Sequence, residues 1–115
     1  MNILITGSNG FLCQKIIQHL LRKSHFIIAI DKKKNILYNN KKFIFFKCDV
    51  SNKNKLVKII NLVNKKIDLV IHTAALQPLS QQQDLSEMIK VNAIGTTSIL
   101  SLCKLFNINK LIYTS

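Results

Sequence analysis

A short apolar run, Ile3, Leu4, Ile5 and Thr6, breaks at once into a turn with glycine at both ends: Gly7, Ser8, Asn9 and Gly10. From Phe11 the apolar positions Leu12, Ile16, Ile17, Leu20 and Leu21 recur at helical spacing, which predicts an amphipathic helix to about Lys23. A strand that ends in glycines and resumes as a helix delivers backbone amides and the positive end of a helix dipole to one point. That point is a candidate anion site.

Downstream, apolar runs and helical patterns alternate. Phe26 to Ile30 is continuously apolar, as suits a strand covered on both faces, and it ends on Asp31. Lys32 to Lys42 is a polar connection with Ile36, Leu37 and Tyr38 as its only apolar anchors. Phe43 to Phe46 is a third strand. Ser51 is placed to cap a helix whose inward face is Leu56, Ile59, Ile60 and Val63. Leu69 to Ile71 is a fourth strand, leading into His72, Thr73, Ala74 and Ala75. The segment from Leu76 to Asp84 holds the only proline, Pro78, and three consecutive glutamines, and reads as a loop. A long helix follows from about Leu85 to Phe106, with Leu85, Met88, Ile89, Ile94, Ile99, Leu102 and Phe106 expected to be buried. Leu111 to Thr114 is the last strand.

Five strands separated by helices or by connections of crossover length, without hairpin signals, predict an α/β chain with a doubly wound, Rossmann-like parallel sheet. Right-handed crossovers give the strand order 3-2-1-4-5, with the first strand central and the glycine turn at the switch point. The 115 residues are expected to form one domain.

Lys and Arg number 17 against 5 Asp and Glu, a formal charge of +12, yet Arg22 is the only arginine. Arginine is the residue that forks onto phosphate and guanine, so the excess reads as a solvated lysine surface and no nucleic-acid partner is expected. Cys13, Cys48 and Cys103 are odd in number and lack paired metal-ligand spacing, which predicts free thiols and no metal. No leader precedes the first strand, and no apolar run approaches the roughly 20 residues of a membrane helix. A cytoplasmic protein without a membrane partner is expected.

Three conditions turn the glycine motif into a dinucleotide site: it follows a strand, it opens a helix, and Asp31 closes the second strand about 20 residues later, where a ribose-binding acid belongs. Gly7 permits the tight turn and Gly10 lets the backbone approach a pyrophosphate, while Cys13 takes the third glycine position at some cost in closeness. Asp31 favours NAD and repels the 2'-phosphate of NADP, although Lys32, Lys33 and Lys34 offset that repulsion. Asp49, beside Val50, either meets the adenine edge or stabilises the amides that follow it.

The ordered motifs Thr6-Gly7-x-x-Gly10-Phe11-Leu12, Asp31, Asp49-Val50, Asp68-x-Val70-Ile71-His72-x-Ala74-Ala75, Val91-Asn92-x-x-Gly95-Thr96 and Ile112-Tyr113-Thr114-Ser115 resemble the extended short-chain dehydrogenase/reductases. This is the NAD-dependent epimerase/dehydratase group that acts largely on nucleotide sugars. The resemblance spans the chain and implies a cofactor-binding set of Gly7, Ser8, Asn9, Gly10, Phe11, Leu12, Asp31, Lys32, Asp49, Val50, Thr73, Ala74, Ala75 and Asn92. It implies that Asn92 holds the active-site end of the sheet, against the alternative that it faces water, and that Gly95 permits close approach of another backbone or helix. His72 reads as a structural, hydrogen-bonded histidine.

Members of this family use a Ser or Thr with a Tyr-x-x-x-Lys pair on the helix after the fifth strand, the tyrosine acting as acid or base. The Ser or Thr falls at or just beyond Ser115, and the only Tyr-x-x-x-Lys match, Tyr38 and Lys42, lies between the second and third strands. No catalytic residue is assigned. The resemblance therefore implies the NAD-binding portion of an epimerase or dehydratase, truncated after the fifth strand and inactive alone. A noncatalytic dinucleotide-binding or interaction module is the alternative, and self-association through the long helix or the open sheet edge is expected.

Overall fold

The computed structural model describes residues 1–33, 38–74 and 85–114. β1 (Asn2–Thr6) sits at the centre of a five-stranded sheet with β2 (Phe26–Asp31) and β3 (Phe43–Lys47) on one side and β4 (Leu69–His72) and β5 (Leu111–Tyr113) on the other. Every pairing is parallel, and the order is 3-2-1-4-5 as the crossover rule requires. The registers Thr6 to Ile30 and Thr6 to His72 bring three carboxyl ends level beside the glycine turn. The expected loop from Leu76 to Asp84, the anchors Ile36 and Leu37, and Lys34, Ala75 and Ser115 lie outside the described residues.

Because neighbouring strand residues face opposite ways, the apolar runs of β1 and β2 feed two cores. Leu4, Ile28, Ile30 and Val70 pack against α2 (Lys53–Val63) through Leu56, Ile59 and Ile60, and against α4 (Gly95–Leu105) through Ile99 and Leu102. On the reverse face Ile3, Ile5, Ile27, Ala29 and Ile71 meet Cys13 and Ile17 of α1 (Phe11–Arg22). Cutting a fully buried side chain such as Leu56 back to alanine removes about 2–5 kcal/mol.

Helix ends follow local chemistry. Asn52, not Ser51, caps α2: its side chain accepts the Lys55 N–H at 3.1 Å. Ser51 is instead drawn back onto Asp49, donating both its N–H and its hydroxyl to Oδ1. The three longer helices are each followed by a left-handed residue, Ser24, Asn64 and Asn107, a position where glycine is the common choice.

The expected long helix is a continuous helical run with a fault in it. α3 (Leu85–Ile89) passes through a π-helical turn, Lys90–Ile94, before α4 begins, and the Gly95 N–H reaches five residues back to the Lys90 carbonyl. Leu85, Ile89 and Ile94, expected inside, are exposed, whereas Val91, Gly95, Ser98, Ile99, Leu102 and Cys103 are buried. A π turn inserts an extra residue and resets the face, so a count at 3.6 residues per turn loses register across it. Leu12 on α1 is likewise exposed, as is Phe11.

Candidate functional site

At the carboxyl ends of the strands a cavity of about 370 Å³ opens between the glycine turn, the end of β2, the segment after β3 and the end of β4. Gly7, Gly10, Phe11, Leu12, Asp31, Lys32, Asp49, Val50, Thr73 and Ala74 line it, ten of the residues expected from the sequence. Ser8 and Asn9, within the turn, and Asn92, in the π-helical turn, are not among the lining residues; Ala75 is outside the described residues. Cys13, Cys48, Val91 and Thr114 join the lining without having been singled out for it. Topology alone carried the signal for Cys48 and Thr114, since each follows the carboxyl end of an edge strand, on the side of the sheet where the glycine turn lies.

Gly7 adopts φ +69°, and a Cβ there would stand 2.8 Å from the Ala74 nitrogen and 2.8 Å from Thr73 Oγ1. The turn therefore presses its backbone against the end of β4, and only glycine fits. Gly10 is different: its φ of −63° and ψ of 150° suit any residue, and a Cβ would meet only the Gly7 carbonyl at 3.3 Å. Gly10 itself lines the cavity.

The amides of the turn are mostly spent inside the protein. Ser8 N–H donates to the Ile30 carbonyl at 3.2 Å, Asn9 N–H to Asp31 Oδ2 at 2.9 Å, and Gly10 N–H to the Gly7 carbonyl at 3.0 Å. The donors left over are the N–H groups of Phe11, Leu12 and Cys13 in the first turn of α1, which has no side-chain cap and no acidic residue among the described residues. The backbone donors this region leaves for a ligand are thus at the helix start rather than in the glycine turn.

Asp31 holds the turn as well as facing the cavity, since its Oδ1 accepts the Lys33 N–H at 3.0 Å while Oδ2 takes Asn9. A carboxylate has about four acceptor sites, so two remain for ligand hydroxyls. Ser8 Oγ and Asn9 Oδ1 are buried without a partner among the described residues. Helix amides without a partner among the described residues, a glycine lining the cavity and the spare acceptor sites of Asp31 together fit a polyanionic ligand with hydroxyl groups.

Cys13 fills the third glycine position by bonding rather than by crowding: its Sγ lies 2.8 Å from Thr73 Oγ1, which itself donates to the Thr6 carbonyl at 2.7 Å. Burial pushes the Cys13 thiol up, and likewise Cys48 and Cys103; all three are free. Asp49 does what a helix-start aspartate does, accepting from Ser51, and it also lines the cavity. Burial alone would raise its carboxyl, but the Ser51 bonds, with Lys90 and Lys32 nearby, hold it below the usual value.

His72 is fully buried, with Nδ1 2.6 Å from Thr6 Oγ1 and Nε2 3.0 Å from Thr96 Oγ1, and it stacks on Tyr113. Burial lowers its pKa, and the histidine is structural, as expected. Asn92 contributes its carbonyl, which accepts the Thr96 hydroxyl at 2.8 Å. Gly95 makes a close approach not to a backbone or helix but to the Val50 side chain, whose Cγ2 would be 2.5 Å from an added Cβ. Tyr38 packs edge-on against Phe43, and Lys42 donates to the Ser24 carbonyl at 3.0 Å, both at the amino end of the sheet and away from the cavity. Asp68 is also at that end, accepting the Asn2 N–H at 2.7 Å.

Among the described residues no helix is long and apolar enough to cross a membrane. Residues 4–115 match the model of the 3-beta hydroxysteroid dehydrogenase/isomerase family. The chain is similar to 3 beta-hydroxysteroid dehydrogenase/Delta 5-->4-isomerase of vaccinia virus (strain Western Reserve), at 32% identity over 96% of this chain and 32% of the relative. Its fold is similar to that of the Bordetella bronchiseptica enzyme WbmG, solved in complex with NAD, with a TM-score of 0.87 and 25% identity over 98% of this chain and 36% of that one. UDP-glucose 4-epimerase of Thermotoga maritima shares the fold at a TM-score of 0.83 and 23% identity, over 100% of this chain and 38% of that one. The chain spans between 32% and 39% of the length of the curated relatives it matches first.

Proposed function

The chain belongs to the 3-beta hydroxysteroid dehydrogenase/isomerase family, and from that premise we propose that it is the NAD-binding portion of an epimerase, dehydratase or dehydrogenase of the extended short-chain type. The observation that carries this reading is that Phe11, Leu12 and Cys13, whose amides have no backbone partner among the described residues, line one cavity with Gly10 and Asp31. The helix start would hold the pyrophosphate, Asp31 the adenosine ribose hydroxyls, and Asp49 with Val50 the adenine end. Thr73, Ala74 and Ala75 would lie along the nicotinamide half. NAD, when bound, supplies a hydride acceptor for oxidation of a secondary alcohol. This chain's residues bind and orient it.

The ordered motifs support a nucleotide sugar as the alcohol. A 3-hydroxysteroid is the second reading, favoured by the vaccinia virus relative. Proton transfer in the extended short-chain group uses a Tyr-x-x-x-Lys pair, which is not among the residues this portion places at the cavity, so binding without turnover is the expected behaviour of this portion. Exposed Leu85, Ile89, Ile94, Leu100 and Leu105 support self-association along the helical run. Titration of the purified chain with NADH, followed by nucleotide fluorescence, should saturate while no alcohol is oxidised. Absence of binding refutes the cofactor reading, and turnover by these residues alone refutes the missing-acid argument. A homogeneous oligomer that binds cofactor would instead favour a noncatalytic module.

A further inference from the structure

We propose that Glu87 sets the nucleotide preference of this site, by engaging Lys32 so that its ammonium is withheld from a 2'-phosphate. The inference rests on the dinucleotide reading of the cavity. Lys32 lines that cavity immediately after Asp31, where a cation would meet the extra phosphate of NADP. Its Nζ does not stand free: it donates to Glu87 Oε1, on α3. A second link, from Lys90 Nζ to Asp49 Oδ2 at 3.7 Å, joins the same helical run to the segment after β3.

The distribution of charge gives these contacts their meaning. In a chain of formal charge +12 with only five acidic residues, Asp31 and Asp49 line this cavity and Glu87 pairs with its lining residue Lys32. Two ion pairs, Lys32–Glu87 and Lys90–Asp49, tie this acidic group to the ammonium groups beside it. A 2'-phosphate brings about 1.5–2 further negative charges. It must either approach Asp31 with Lys32 still neutralised or break the Lys32–Glu87 pair. NAD meets neither cost. Glu87 is a positioning residue, acting through Lys32 from a different element of the fold.

The test is a pair of NADH and NADPH titrations on the 115-residue chain, on Glu87→Gln, on Lys32→Gln and on the double variant. Glu87→Gln should raise affinity for NADPH relative to NADH about five-fold, the scale of an exposed ion pair. The same substitution made in Lys32→Gln should leave the ratio where it was. An unchanged ratio in Glu87→Gln, with NADH still bound, overturns this inference and leaves the cofactor reading standing. A shift of equal size in the Lys32→Gln background also overturns it, because Glu87 would then act by its own charge. A wild-type chain that binds neither nucleotide overturns both.

Discussion

Thr96 Oγ1 lies 3.0 Å from His72 Nε2, joining the helical run that follows the π turn to the carboxyl end of β4. The Thr96 hydroxyl donates to the Asn92 carbonyl, so it can only accept from the imidazole, which fixes the proton on Nε2. Nδ1 then accepts from Thr6, whose oxygen in turn accepts the Ala74 N–H at 3.4 Å. One uninterrupted chain of hydrogen bonds thereby links β1, β4 and the helical run behind the cavity.

Removing the centre of that chain should be costly. His72→Ala leaves a void and two hydroxyls without their partner, with an expected loss of about 2–4 kcal/mol in urea unfolding. Thr96→Val should cost about 1–2 kcal/mol, and the two losses should not add.

The same histidine predicts a pH dependence. Burial lowers its folded pKa below the ordinary 6.5, so below about pH 6.5 the unfolded chain takes up a proton that the folded chain refuses. Stability should be full above that pH and decline beneath it until the folded pKa is passed. Unfolding free energies measured between pH 7.5 and 5 should show a shallower decline in His72→Gln than in the wild type.

How far the fold could be read beforehand follows from where periodicity is clean. The strand order was legible because β1, β2 and β4 are apolar on both faces and separated by crossovers, and Asp31 was legible because its distance from Gly10 is dictated by one strand and one helix. The burial of the helical run was legible only in part: Ile99 and Leu102 are buried as expected, but Leu85, Ile89 and Ile94 are exposed, because the π turn at Lys90–Ile94 shifts the face and because small residues, Gly95 and Ser98, occupy the close contacts. The division of labour in the cradle was not legible. Which amides are spent depends on Ile30 and Asp31 arriving beside Ser8 and Asn9, a tertiary fact. Ser51 was expected to cap α2, but Asp49 captures the serine and Asn52 caps the helix instead.

Gly7→Ala should be among the most damaging single substitutions, combining a left-handed φ with a clash against the Ala74 backbone. A loss of at least about 2 kcal/mol is expected, read as a lowered thermal midpoint. Gly10→Ala should lower that midpoint much less, since its φ is ordinary and the added Cβ meets only the Gly7 carbonyl, at 3.3 Å, while it should weaken NADH binding because Gly10 lines the cavity.

Ser24 supplies a prediction of opposite sign. It holds φ +64° after α1 without being glycine, so Ser24→Gly should stabilise by about 0.5–1 kcal/mol. Differential scanning calorimetry should register a rise of a few degrees.

The central claim is that the start of α1, not the glycine turn itself, receives the pyrophosphate. Amide resonances of the nitrogen-15-labelled chain, followed during titration with NAD, test it directly. The account predicts the largest shifts at Phe11, Leu12 and Cys13, with smaller ones at Ser8 and Asn9, whose N–H groups are already engaged. Saturating NAD that leaves those three amides unmoved, or that moves none in the chain, would contradict it.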